Sequence, residues 1–258
     1  MSAEWLVMHG HALLCAVDAS SAPDTPADMR AIDADLDFRF SSLLPAGTRA
    51  ATRAARARFD FGLPPERIAG AARPAPAQLA APRIPMLRVR GSVRDPAGRW
   101  QPRQFDVRLA AGAIVPLPLY PAPSGTPASS GGRLFGSLRL PNGAAAAWAR
   151  LELRVTVAPG RSVSAVAQAD GNGDFVLAAA RVPLPPANVA SFPAELRVFH
   201  RGGSWPDGLN PDTQQPWTLL SATADSFAEV YAFDFPPGAA LRPLGFQRQT
   251  LVIRAPQP

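Results

Sequence analysis

The sequence predicts an all-β protein: two antiparallel β-sandwich-like domains with at most one short helix. Three observations carry that expectation. Thirty Pro and 20 Gly in 258 residues cut the chain into short elements joined by turns. Many stretches alternate apolar and polar side chains with period two, as a strand with one buried face requires. Hydrophobic residues at 47% against 18% charged are enough to build a core in one large domain or two of ordinary size.

In chain order, MSAEWLVMHGHALLCAVDAS reads as a first strand. It has no Arg ahead of its apolar run, and His9 and His11 interrupt that run, so it lacks the features of a secretory leader. Synthesis in the cytoplasm is the expectation, and a released or membrane-docked particle stays compatible with it. No 18-residue uncharged apolar segment occurs, so no spanning helix is predicted. His9, His11 and Cys15 share one strand face and are zinc-ligating types. Residues 9 and 15 would nevertheless lie about 20 Å apart at roughly 3.3 Å per residue, too far for one ion.

AGTRAATRAARARFDF (46–61) departs from the alternation. Arg49, Arg53 and Arg56, spaced by four and three in an Ala-rich stretch, predict the one short helix, with its guanidinium groups on one side. They suit an anion or an acidic partner; a solvated face is the plainer reading of the same charges. No interleaved aromatics or nucleic-acid motif accompany them, so nucleic acid is not an expected partner. AGAARPAPAQLAAPRIP (69–85) is a linker or a long surface loop.

MLRVRGSV (86–93) and QFDVRL (104–109) are strands with Leu87, Val89, Val93, Phe105, Val107 and Leu109 inward. PAPSGTPASSGG (121–132) offers nothing to bury. The expected division is therefore an N-terminal β domain over 1–122, a linker over 123–132 and a C-terminal β-sandwich over 133–258. In the second half, strands are predicted at 134–140, 151–157, 162–169, 174–180, 194–200, 227–235 and 248–254. LELRVTV (151–157) is the clearest, with Leu151, Leu153, Val155 and Val157 on one face. GSVRDPAGRWQPRQFDVRL (91–109) echoes GSLRLPNGAAAAWARLELRV (136–155), and DADLDF (33–38) echoes DGNGDF (170–175), but the two echoes come in opposite order in the two halves.

ADGNGDFVL places Asp170, Asn172 and Asp174 at alternate positions, as in a calcium loop. Counting Asp170 as position 1, however, puts Phe175 at position 6, where glycine belongs, and Arg181 at position 12, where the bidentate carboxylate belongs. A hairpin turn between strands 162–169 and 174–180 fits every residue, and calcium at Asp170, Asn172 and Asp174 is kept only as the lesser alternative.

The run GSLRLPNGAAAAWARLELRV followed by VAQADGNGDFVL resembles carboxypeptidase regulatory-like domains, a prealbumin-like β-sandwich family. The matching positions are Gly136, Gly143, Asp170, Gly173 and Phe175, within residues 134–180. The resemblance implies a structural or binding appendage, of the kind carried by phage-tail and contractile injection-system components, and it implies no catalytic residue.

RGGSWPDGLNPDTQQPW (201–217) is a long loop carrying Trp205, Asp207, Asn210, Asp212 and Trp217, beside His200. Indole rings with carboxylates and amides suit a glycan, or else the rings pin the loop to the sandwich. Ser204, Asp207 and His200 are triad types, but no GxSxG turn supports them.

Composition excludes further chemistries. The chain has no lysine, so Schiff-base catalysis lacks its nucleophile and a GxxxxGK[ST] phosphate loop cannot be written. The formal charge of +6 is modest, and one cysteine allows no internal disulfide. The expected function is a non-enzymatic structural or docking component of a multi-protein assembly, with other protein subunits as partners and no cofactor. The alternative is a carbohydrate-binding module using the Trp205 to Trp217 loop.

Overall fold

The computed structural model describes residues 10–25, 28–41, 44, 48–61, 86–126, 129–186, 189–201, 211–220, 226–241 and 250–256. Among these, every named element is a strand except a 3-10 turn at Pro211–Thr213. The strands form two sandwich-like units, each with its own apolar core.

In the first unit, β1 (Gly10–Asp18) is flanked on one side by β5 (Arg56–Phe61) and, further along, by β2 (Arg30–Ala31). β4 (Arg49–Arg53) pairs with the outer side of β5, and β8 (Ile114–Leu119) lies parallel to β1 on its other side. The facing sheet runs β3 (Asp37–Phe40), β6 (Met86–Arg94), β7 (Arg103–Ala110). Alternation decides which side chains meet between the sheets. Leu14, Phe59 and Leu117 point in from one sheet, and Phe38, Val89, Val93 and Leu109 from the other, all buried. Phe40 of the second sheet meets Phe59 of the first edge-on, with ring centroids 5.2 Å apart.

Residues 48–61 correct the helix expected over 46–61: the described part is the β4–β5 hairpin. The pattern that overrides alanine's helix preference is Ala57 and Phe59, buried at period two between exposed Arg56 and Arg58. Ala54, at φ 49°, turns the corner.

β8 is a strand that its own sequence, IVPLPL, argues against, because proline cannot donate to a ladder. Leu13 donates its N–H to Ala113 O and Ala19 to Leu119 O, so the odd-numbered residues of β8 face β1. Pro116 and Pro118 therefore face away, where no donor is needed, and Arg103 Nη1 caps the outward Pro118 carbonyl at 2.6 Å.

The second unit is one hydrogen-bonded path: β11 (Arg161–Gln168), β10 (Arg150–Ala158), β13 (Phe192–His200), β14 (Gln215–Leu220), β18 (Thr250–Arg254), β9 (Arg133–Arg139), β12 (Asp174–Ala178). β15 (Phe227–Ala228), β16 (Tyr231–Phe235) and β17 (Ala240–Leu241) attach to β14, β13 and β9. The pairings are antiparallel except where β17 and β18 lie parallel to β9. The path folds over itself, and its inward faces, including Leu134, Leu151, Leu153, Phe175, Leu196, Phe235 and Ile253, make the core. Burying each such side chain contributes roughly 1.5–3 kcal/mol.

The turn at 170–173 corrects a second expectation. β11 and β12 do not pair as a hairpin; β11 pairs with β10 and β12 with β9. The turn itself is tight: Gly173 N–H donates to Asp170 O at 3.0 Å and Asp170 N–H to Asp174 O at 2.8 Å. Beyond it the two strands part into opposite layers. Residues 227–235, expected as one strand, are β15 and β16 interrupted at residues 229–230.

The segment between the units is tied down at both ends. Ala122 donates its N–H to Arg99 O, and Gly131 lies so close to Ala179 that a Cβ there would strike its carbonyl oxygen. Ala19 and Tyr120 of the first unit also bury Val166 of the second.

Candidate functional site

The three singled-out arginines do come together, but on a sheet instead of a helix. Arg49 and Arg53 sit four apart on β4 and so share a face, and Arg53 stands directly across from Arg56. The same outward face continues over β5, β1 and β8 through Arg58, Leu13 and Ile114, and through Arg56, Cys15 and Pro116. Ile114 is 68% exposed. Arg58 bonds Asp60 at 2.7 Å; among the described residues Arg49, Arg53 and Arg56 enter no ion pair. The result is an outward apolar strip of half-buried Leu13 and exposed Ile114, bordered by guanidinium groups that pair with no acid among the described residues. Burial pushes the Cys15 thiol up from its ordinary pKa, with Arg56 opposing, so the thiol stays protonated near neutrality.

The opposite outer face, on β6 and β7, is also rich in arginine but is partly neutralised. Arg88 clasps Asp106 with two bonds, at 2.6 and 2.7 Å, and Arg90 adds a third at 3.0 Å. The Arg88 hydrogen bonds come first in holding the Asp106 carboxyl down at about 2. Asp37 likewise takes Arg39 at 3.0 Å.

The remaining sequence candidates divide. Asp170, Asn172 and Asp174 sit at the interlayer turn, with one carboxylate oxygen of each aspartate engaged. Asp170 Oδ1 accepts the Asn172 and Asp174 N–H groups at 2.8 and 3.0 Å, and Asp174 accepts the Ser137 hydroxyl. Among the described residues no three His, Cys, Asp or Glu side chains gather as a metal site. His11 and Cys15 are both on the outward face of β1; His9 lies outside the described residues.

Of the 201–217 loop, Trp205, Asp207 and Asn210 also lie outside them, as do the side chain of Asp212 and Ser204. Trp217 is described, and it packs against the second core with His200 edge-on at 4.7 Å. His200 is 5% exposed, and burial holds its pKa down at about 4, so it is a neutral core residue at pH 7.

Trp148 was not legible as special. Its backbone sits at φ 65°, a left-handed conformation that a bulky side chain avoids. Its carbonyl accepts Gln214 Nε2 at 2.8 Å and Gln168 Nε2 at 3.3 Å, and its N–H donates to Asp170 O at 3.1 Å. The indole lies against Gly171. It thereby joins the 170–173 turn to the C-terminal end of the 201–217 loop, two stretches that sequence reading treated separately.

Among the described residues no helix is long and apolar enough to cross a membrane. Compared with family models, with curated proteins and with solved structures, the chain matches none.

Proposed function

We propose that this chain is a non-enzymatic docking component of a multi-protein assembly, gripped by an acidic partner subunit on the outward face of β4, β5, β1 and β8. The observation that carries the reading is the strip of Leu13 and Ile114 bordered by Arg49, Arg53 and Arg56, which enter no ion pair among the described residues. An apolar centre with arginine at its edge is the composition of protein interfaces, and guanidinium forks bind carboxylates in pairs. Two sandwich-like units, each with its own core, suit a scaffold. The resemblance of residues 134–180 to carboxypeptidase regulatory-like domains supports the most concrete setting, a phage-tail-like or contractile injection particle.

The test is isolation of the native particle followed by mass spectrometry, for the wild-type chain and an Arg49→Glu, Arg53→Glu, Arg56→Glu variant. Co-purification that the charge reversal abolishes, with the variant still folded, is the expected outcome. Recovery of the wild-type chain only as a free monomer overturns the reading.

A further inference from the structure

Where the two units meet they enclose a cleft of about 550 Å³. Its floor is the outward face of β11, β10 and β13; its rim is the Pro23 and Asp24 turn of the first unit together with Gly160. The ladder sets Ser164, Arg154 and Glu195 side by side in one row and Val166, Glu152 and Arg197 in the next. Opposite charges directly across an antiparallel pair attract one another, yet these do not close. Glu152 turns along its own strand to Arg150 at 3.2 Å. Among the described residues Arg154, Arg197 and Glu195 enter no ion pair.

Arg154 and Arg197 stand on the ladder diagonal, about 7–8 Å apart at their roots, so both guanidinium forks can reach one carboxylate. The neighbouring groups complement a polyol. The Glu195 carboxylate only accepts, the guanidinium groups only donate, and the Ser162 and Ser164 hydroxyls do both. No lining residue is aromatic, so the cleft offers a nucleobase no ring to stack on. The volume falls within the range of small-molecule sites, which favour junctions between structural units.

We propose that the cleft between the two units binds an acidic saccharide unit, its carboxylate held between Arg154 and Arg197 and its hydroxyls by Glu195, Ser162 and Ser164. The site shares no residue with the docking face, so either can fail alone. Asp24, bonded to Arg181 of the second unit at 3.4 Å, stands on the rim. A bound sugar is therefore held by the second unit beside the place where the first already touches it.

The test is amide NMR and calorimetric titration of the full chain with glucuronate, with glucose and acetate as controls. Glucuronate is expected to saturate in the millimolar range, with shifts confined to residues 160–166, 152–154 and 195–197. Glucose and acetate should each bind at least about tenfold more weakly, since glucose lacks the carboxylate held by Arg154 and Arg197 and acetate lacks the hydroxyls held by Glu195, Ser162 and Ser164. The Arg154→Gln, Arg197→Gln double variant should lose about 30-fold or more, on the same principle. Ser164→Ala, an outward truncation that leaves the core untouched, should weaken binding about threefold. Absence of saturable shifts up to about 50 mM overturns the proposal. So does an equal response to acetate, or undiminished binding by the folded double variant.

Discussion

The two units use the same strand vocabulary and close it differently. In the first, β6 and β7 form a hairpin within one sheet, and its turn is held by Asp95, which accepts the N–H groups of Ala97 and Arg99. In the second, the echoing stretch from β9 to β10 crosses between layers, and so does the turn from β11 to β12. The first unit is therefore two sheets pressed together, and the second is one sheet bent over itself. The crossing corner buries Gly173 while Gly171 and Asn172 stay exposed, whereas residues 96–99 of the hairpin turn all stand in solvent. Substitutions at crossing corners should consequently cost more than the same substitutions at hairpin turns.

The largest effect tests the core at the crossing. Phe175 is the second residue of β12 after the turn and is 1% exposed. Phe175→Ala is expected to cost about 4 kcal/mol in urea unfolding. If the units unfold separately, only one of two calorimetric transitions should move.

Next comes a matched pair of glycines. Gly173, at φ 79°, lies against the Leu138 carbonyl, which an added Cβ would strike; Gly98, at φ 67° in the β6–β7 turn, has nothing within 4 Å. Gly173→Ala should cost about 3 kcal/mol, from left-handed strain together with the clash, and Gly98→Ala about 1 kcal/mol. Equal losses at the two positions would erase the distinction between crossing and hairpin corners.

Acidification should weaken the second unit selectively. His200 titrates at about 4 in the folded chain and near 6.5 when unfolded. Between those values the unfolded chain binds the extra proton, so stability is complete above about 6.5 and falls as pH drops towards 4, by up to roughly 3 kcal/mol. Melting curves across that window, with His200→Leu as comparison, check it: the variant should lose this pH dependence while the first transition is unaffected.

The smallest effect concerns the brace on Trp148. Gln214→Ala removes a 2.8 Å bond to the carbonyl of a strained residue and should cost about 1 kcal/mol in urea unfolding.

Legibility in the sequence followed the range of the physics. Strand β10 and its buried face were readable because alternation is local, and Leu151, Leu153 and Val155 point inward as expected. The β4–β5 hairpin was misread because alanine's helix preference is also local, while the burial that overrides it is contributed by Phe40 and Phe105 on a facing sheet. The 170–173 turn has the internal bonds of a hairpin turn; only the remote partners β9 and β10 make it cross. The grouping of the arginines was visible in the sequence, but Leu13 and Ile114, which lie beside them, come from strands too distant in sequence for spacing to reveal.

Strand β8 sets a limit on how this protein can be recognised. Its outer flank presents prolines without donors and a carbonyl already taken by Arg103. Along Pro116 and Pro118 that border offers no N–H to an incoming backbone, so a neighbour approaching there cannot build a regular ladder. Recognition on that side has to be carried by side chains, and a single residue change can rewrite it without touching the fold.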